Sequence, residues 1–181
     1  MKPTGSQQNS APLTDQPGRR SPRRRRDAPP PSTGASEKEV LMGFLNYLRD
    51  CVADKLLDLD ESAARTAMVP SGTNLLGLVN HLTAVERSTF LGEHIQNWKK
   101  TFNAPTSMSV DAVVSDYRET VRRANELIDQ CQDLSGPAPL RAGRSTGPSM
   151  RWALTHMIEE TGRHAGHLDI LRELADGSTG R

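Results

Sequence analysis

RWALTHMIEETGRHAGHLDILRELADG, running from Arg151 to Gly177, has the apolar period of a long helix with an unusual interior. At about 100° per residue, Ala153, Met157, Leu168, Leu171 and Ala175 fall on one face. Glu160 and His164 fall within that face rather than opposite it. Ser149 stands where an N-cap is wanted and Gly177 where a C-cap is wanted, so the helix spans the whole stretch. An apolar stripe of this length needs partner elements to cover it, and the polar pair inside it then points into whatever those partners enclose.

The partners can be read upstream. Ser109 caps a helix carrying Val110, Val113, Val114, Tyr117, Val121, Ala124, Leu127, Ile128 and Cys131, the cleanest stripe in the chain, with Asp111 in its first turn. Before it, Thr73 or Asn74 can cap a helix that carries Leu75, Leu78, Val79, Leu82 and Val85 and is expected to run to about Trp98. The first helix starts at a capping box, Ser36 followed three residues later by Glu39, and its apolar positions continue from Leu41 through Leu56 to Leu59. SGPAPLRAGRSTGPS, from Ser135 to Ser149, holds too much Gly and Pro for an element and is too long for a tight turn, so it reads as a crossover loop. No strand pattern or internal repeat appears. The expected fold is all-α, a four-helix bundle with a long crossover before the last helix.

Composition agrees with one such domain. The chain has 181 residues, of which 35% are hydrophobic, enough for one core. Residues 1–36 carry seven basic side chains and two acidic ones, or +5, so the sixteen basic and twenty acidic residues that remain leave −4. The expected organisation is a disordered, basic, Pro- and Arg-rich tail over 1–36 and a bundle over 37–180. RRSPRRRR can attract phosphate backbones, but a charge run is most often a solvated tail, so nucleic acid is not an expected partner. Two distant cysteines, Cys51 and Cys131, and no secretory leader point to the cytoplasm, and no apolar run approaches the roughly 20 residues that cross a bilayer.

Three of the five histidines, His156, His164 and His167, lie on the last helix. Burying a carboxylate and an imidazole costs several kcal/mol unless each is paired or ligated. Glu160 and His164 are one turn apart, His81 sits at the edge of the second helix's stripe, and a nitrogen, nitrogen and oxygen set is a known zinc environment with an open position. Spacing alone also fits a surface ion pair or a hydrogen-bonded core histidine.

VPSGTNLLGLVNHLTAVER, from Val69 to Arg87, and RWALTHMIEETGRHAGHLDILRELADGSTG, from Arg151 to Gly180, resemble the two signature stretches of the DinB-like metalloprotein superfamily. Nearest is an actinobacterial branch related to the N-terminal domains of mycothiol-dependent maleylpyruvate isomerases. The resemblance covers residues 37–180. It implies a bundle with a long crossover holding one divalent metal, zinc or alternatively nickel, on His81, Glu160 and His164, with glutamate where most members have histidine. His167 is the first alternative ligand, His156 lines the pocket or supports a ligand, and His94, Glu159 and Asp169 are expected in solvent.

The resemblance further implies a small thiol, mycothiol or bacillithiol, whose thiolate attacks an electrophile for detoxification. Arg144 and Arg151, flanking the crossover, are candidates from charge and position to hold that cofactor's carboxylate. Relatives pair as dimers, so a homodimer is a further expectation. The isomerases carry an added C-terminal domain absent from this sequence, which argues against isomerase activity. A non-catalytic metal-binding bundle that binds a small ligand or partner and a metal-assisted hydrolase are the alternatives.

Overall fold

The computed structural model describes residues 29–140 and 144–180. Residues 1–28, most of the expected basic tail, lie outside them. Six helices are found among the described residues: α1 (Glu37–Asp54), α2 (Glu61–Arg65), α3 (Leu75–Phe90), α4 (Trp98–Thr101), α5 (Val110–Gln130) and α6 (Met150–Asp176). The four long ones form the expected all-α bundle, in which α3 packs on α5 and α6, and α1 on α6 and α5. Among the described residues no helix is long and apolar enough to cross a membrane.

Cap chemistry sets the starts. Ser36 Oγ accepts from the Glu39 N–H at 3.2 Å, while the Glu39 carboxylate accepts from the Ala35 N–H at 2.6 Å. Of the two candidates for α3, Asn74 is the cap, accepting from Gly77 N–H at 2.8 Å. Ser109 and Ser149 cap α5 and α6 as their positions require. Gly177 ends α6 in the left-handed region at φ 77°.

Two helices are shorter than their periodicity predicts. α1 stops at Asp54, and the chain to Leu59 closes tighter i→i−3 bonds before Asp58 turns left-handed at φ 59°. Leu56 still reaches the core, which is why the apolar pattern overran the helix. α3 ends at Phe90 rather than near Trp98. Gly92 takes φ 68°, and a Cβ there would meet the Leu140 carbonyl oxygen at 2.8 Å, so glycine permits both the turn and the approach.

α3 is buried on almost every side and joins two apolar clusters. One gathers Leu76, Val79 and Leu82 with Val113, Tyr117 and Leu168; the other gathers Val85 and Phe90 with Leu45, Ile128, Leu154 and Met157. Each fully buried leucine contributes roughly 1.5–3 kcal/mol. The crossover is pinned at its neck, where Ala138 N–H donates to Pro148 O at 2.9 Å and Met150 N–H to Gly136 O at 2.8 Å. Beside that neck, Pro139, Leu140, Arg144, Thr146 and Pro148 face residues of α3 and α6 across a cavity that includes the polar pair's Glu160.

Candidate metal centre

α3 carries His81, and α6 carries Glu160 and His164 one turn apart on its buried face. The three are 6%, 7% and 6% exposed. Glu160 Oε1 lies 3.1 Å from Nε2 of His164 and 3.6 Å from Nε2 of His81. One donor atom from each residue lies within 4.8 Å of the other two.

The donor set fits a divalent ion. Tetrahedral zinc ligands at about 2.0–2.1 Å from the metal stand roughly 3.3 Å from one another, and the two donor separations above straddle that value. His81 Nε2 and Glu160 Oε1, 3.6 Å apart, form a long contact whose separation leaves room for an ion between them. Burial pushes His81 down to about 4, with His164 acting in the same direction and Glu160 opposing. Burial likewise lowers His164 against the pull of Glu160. Both rings are therefore neutral at pH 7, the form that binds metal.

Glu160 stays ionised. Burial works to raise its carboxyl, but His164 and Arg163 outweigh it and the net shift is downward. Because His164 is itself driven toward neutrality, Arg163 is the partner whose charge is always present; its guanidinium, half exposed, reaches the other oxygen of Glu160.

The residues around His81 come from a stretch with no helical period. Phe102 stacks on its ring, with centroids 3.8 Å apart and planes 14° from parallel. Thr101 Oγ1 lies 2.6 Å from its Nδ1. Both positions depend on Gly77, one turn before His81, since a Cβ there would stand 2.1 Å from the Phe102 carbonyl oxygen.

A cavity of about 580 Å³ opens beside the cluster, with His81 and Glu160 on its wall. Trp98, Leu140, Trp152 and His156 add an apolar and aromatic lining, His156 stacking on Trp152 at 4.7 Å. Arg144 lines it too. Ser88, 2% exposed and on the same wall, has an Oγ without a hydrogen-bond partner.

His81, Glu160 and His164, expected together from sequence, are thus brought together, and Arg144 is brought to the adjoining cavity. Arg151 is not: its guanidinium donates to the Glu37 carboxylate at 2.8 and 3.1 Å on the outer surface. His167 is exposed and stands outside the three-residue group, its Nδ1 3.4 Å from that of His164. His94 and Glu159 are exposed, and Asp169, its side chain 44% exposed, pairs with the buried Lys55. Thr101, Phe102 and Ser88 were not anticipated. Ser88 follows His81 by seven residues on α3, a two-turn spacing that could have flagged it; the other two carry no sequence signal.

The sequence model of a family described as Mycothiol-S-transferase matches residues 40–177. No curated protein matches the chain.

Proposed function

The chain belongs to the mycothiol-S-transferase family, a DinB-like family, and from that premise we propose that it joins a low-molecular-weight thiol to an electrophile at a divalent metal held by His81, Glu160 and His164. Zinc or nickel suits the two-nitrogen, one-oxygen set. The observation that carries the reading is the buried donor cluster opening onto a cavity large enough for a small organic molecule.

A divalent ion, when bound, supplies the positive charge that favours thiolate over thiol at neutral pH. The chain does the rest. His81 and His164 arrive neutral, so no proton has to leave them before they act as ligands. Glu160 brings one negative charge, which leaves the centre net positive and attractive to a thiolate. Trp98, Leu140 and Trp152, all partly exposed at the cavity, give it apolar surface against which an organic electrophile can pack. Arg144 donates to oxygen acceptors of the thiol cofactor, the sugar hydroxyls and amide carbonyls of mycothiol or a carboxylate of bacillithiol, and fixes its sulfur end toward Glu160 and His81.

The balance is simple. With a halide, the thiol sulfur forms a bond to carbon, the carbon–halogen bond breaks and the thiol proton leaves with the halide as acid. With an epoxide, the same sulfur–carbon bond forms, carbon–oxygen breaks and the proton ends on that oxygen. The setting is the cytoplasm, where small thiols stay reduced, and the role is detoxification.

The test is adduct formation, followed by mass spectrometry, from mycothiol and a chlorinated or epoxide electrophile, with metal-free and zinc- or nickel-loaded protein. The proposal expects adduct only with both thiol and metal. Turnover without thiol would favour metal-assisted hydrolysis instead, and no turnover with a loaded site would favour a non-catalytic bundle.

A further inference from the structure

Thr101 makes two hydrogen bonds that together leave only one choice for the ring beside it. Its Oγ1 lies 2.6 Å from the carbonyl oxygen of Trp98 and 2.6 Å from Nδ1 of His81. A threonine hydroxyl has one proton. The Trp98 carbonyl can only accept, so that proton is committed to it, and an O···O contact so short without a proton would be repulsive. Thr101 Oγ1 is left as an acceptor toward His81, and Nδ1 of a neutral ring can meet it only as N–H. On the other side Nε2 lies 3.6 Å from the Glu160 carboxylate, a longer and weaker contact than the 2.6 Å one between Nδ1 and Thr101.

We propose that Thr101 is a positioning residue that fixes His81 in the Nδ1–H tautomer and so presents the Nε2 lone pair to the metal. Its own placement is built in. Asn80, the neighbour of His81 on α3, donates from Nδ2 to the Thr101 carbonyl at 2.6 Å. Gly77 admits the Phe102 carbonyl against α3, and Phe102 stacks on the imidazole and fixes the plane of the ring. The other nitrogen of a metal-bound histidine is commonly held in this way, and loss of the partner typically costs ten- to a hundredfold in metal affinity. The role rests on the metal reading of the site above.

The test compares wild type, Thr101→Ser and Thr101→Val, labelled with ¹⁵N-histidine. The His81 tautomer is read by NMR in the metal-free protein, and zinc affinity by competition with a chromophoric chelator. Expected is an Nδ1–H ring in wild type and Thr101→Ser, with tight zinc binding in both. Thr101→Val, nearly the same in shape, should show a mixed or Nε2–H ring and a zinc Kd about ten- to a hundredfold weaker. An Nε2–H ring in a wild type that binds zinc would overturn the inference alone. So would a Thr101→Val protein that keeps its tautomer, or one whose tautomer changes without loss of affinity. An Nδ1–H ring in a wild type that binds no metal would overturn the metal reading, and this role with it.

Discussion

Nε2 of His81 on α3 stands 3.6 Å from Oε1 of Glu160 on α6, two buried donors carried together by the packing of two helices far apart in sequence. The separation is long for a hydrogen bond and suited to two ligands of one ion. Glu160→Gln keeps the shape of the side chain and removes its charge, leaving Arg163 beside the centre without its partner. Zinc affinity is expected to fall at least tenfold on the order-of-magnitude scale of ligand and ligand-support changes, read by chelator competition. An unchanged Kd would mean that the carboxylate does not bind the metal.

Gly77→Ala separates packing from propensity. In an exposed helix the change would stabilise by roughly 1 kcal/mol. Here the new methyl would collide with the backbone of Phe102, so the opposite sign is expected: a lower Tm and weaker zinc binding, because the segment bearing Thr101 and Phe102 is displaced. A higher Tm would show that this segment does not seat against α3.

The Arg49 guanidinium and Glu86 carboxylate form a two-bond ion pair, at 2.7 and 2.6 Å, that is 2% and 0% exposed. Asn46 and Asn125 accept from the same guanidinium. Removing Glu86 alone, as Glu86→Ala, strands the arginine and should cost about 3–5 kcal/mol of stability by urea denaturation. Arg49→Met with Glu86→Leu should recover most of that loss.

Acid should weaken the metal-free protein through its histidines. His81 is pushed from 6.5 to about 4 on folding, so below pH 6.5 the unfolded chain binds a proton that the folded chain refuses. Stability is therefore full above that value and is lost as pH falls from 6.5 toward 4, with His164 acting in the same sense. Glu160, also shifted downward, contributes above its ordinary carboxyl range and loses that contribution only as pH falls below 4.5. Urea midpoints of the metal-free protein should drop across the histidine window, and His81→Phe should flatten part of the slope.

The two arginines beside the crossover should behave differently. Arg144 lines the cavity, and Arg144→Ala is expected to raise KM for the thiol by on the order of tenfold, the scale of one charge-assisted hydrogen bond, with metal content unchanged. Arg151 is engaged with Glu37 in solvent, so Arg151→Ala should leave KM within about twofold. Equal effects would remove Arg144 from the thiol site.

The four long helices were legible because each pairs a 3.6-residue apolar period with a capping side chain, and those two signals act locally. Their ends were less so: Leu56 and Leu59 continue the pattern of α1 after the helix has stopped, and only backbone geometry at Asp58 and Gly92 tells where the chain turns. Glu160 and His164 stood out as polar residues within an apolar stripe. Arg144 and Arg151 looked equivalent because the path of the crossover and the pairing with Glu37 depend on tertiary structure. Thr101 and Phe102 were silent for the same reason, since a non-periodic segment reaches His81 only after Gly92 reverses the chain and Gly77 makes room for it.

Metal content per chain, measured by elemental mass spectrometry on untagged wild type beside Glu160→Ala and His164→Ala, tests the central claim most directly. The site predicts close to one zinc or nickel ion per wild-type chain and its loss in both variants, with helical content by circular dichroism retained. A wild type that holds no metal even after reconstitution with zinc and nickel would contradict it.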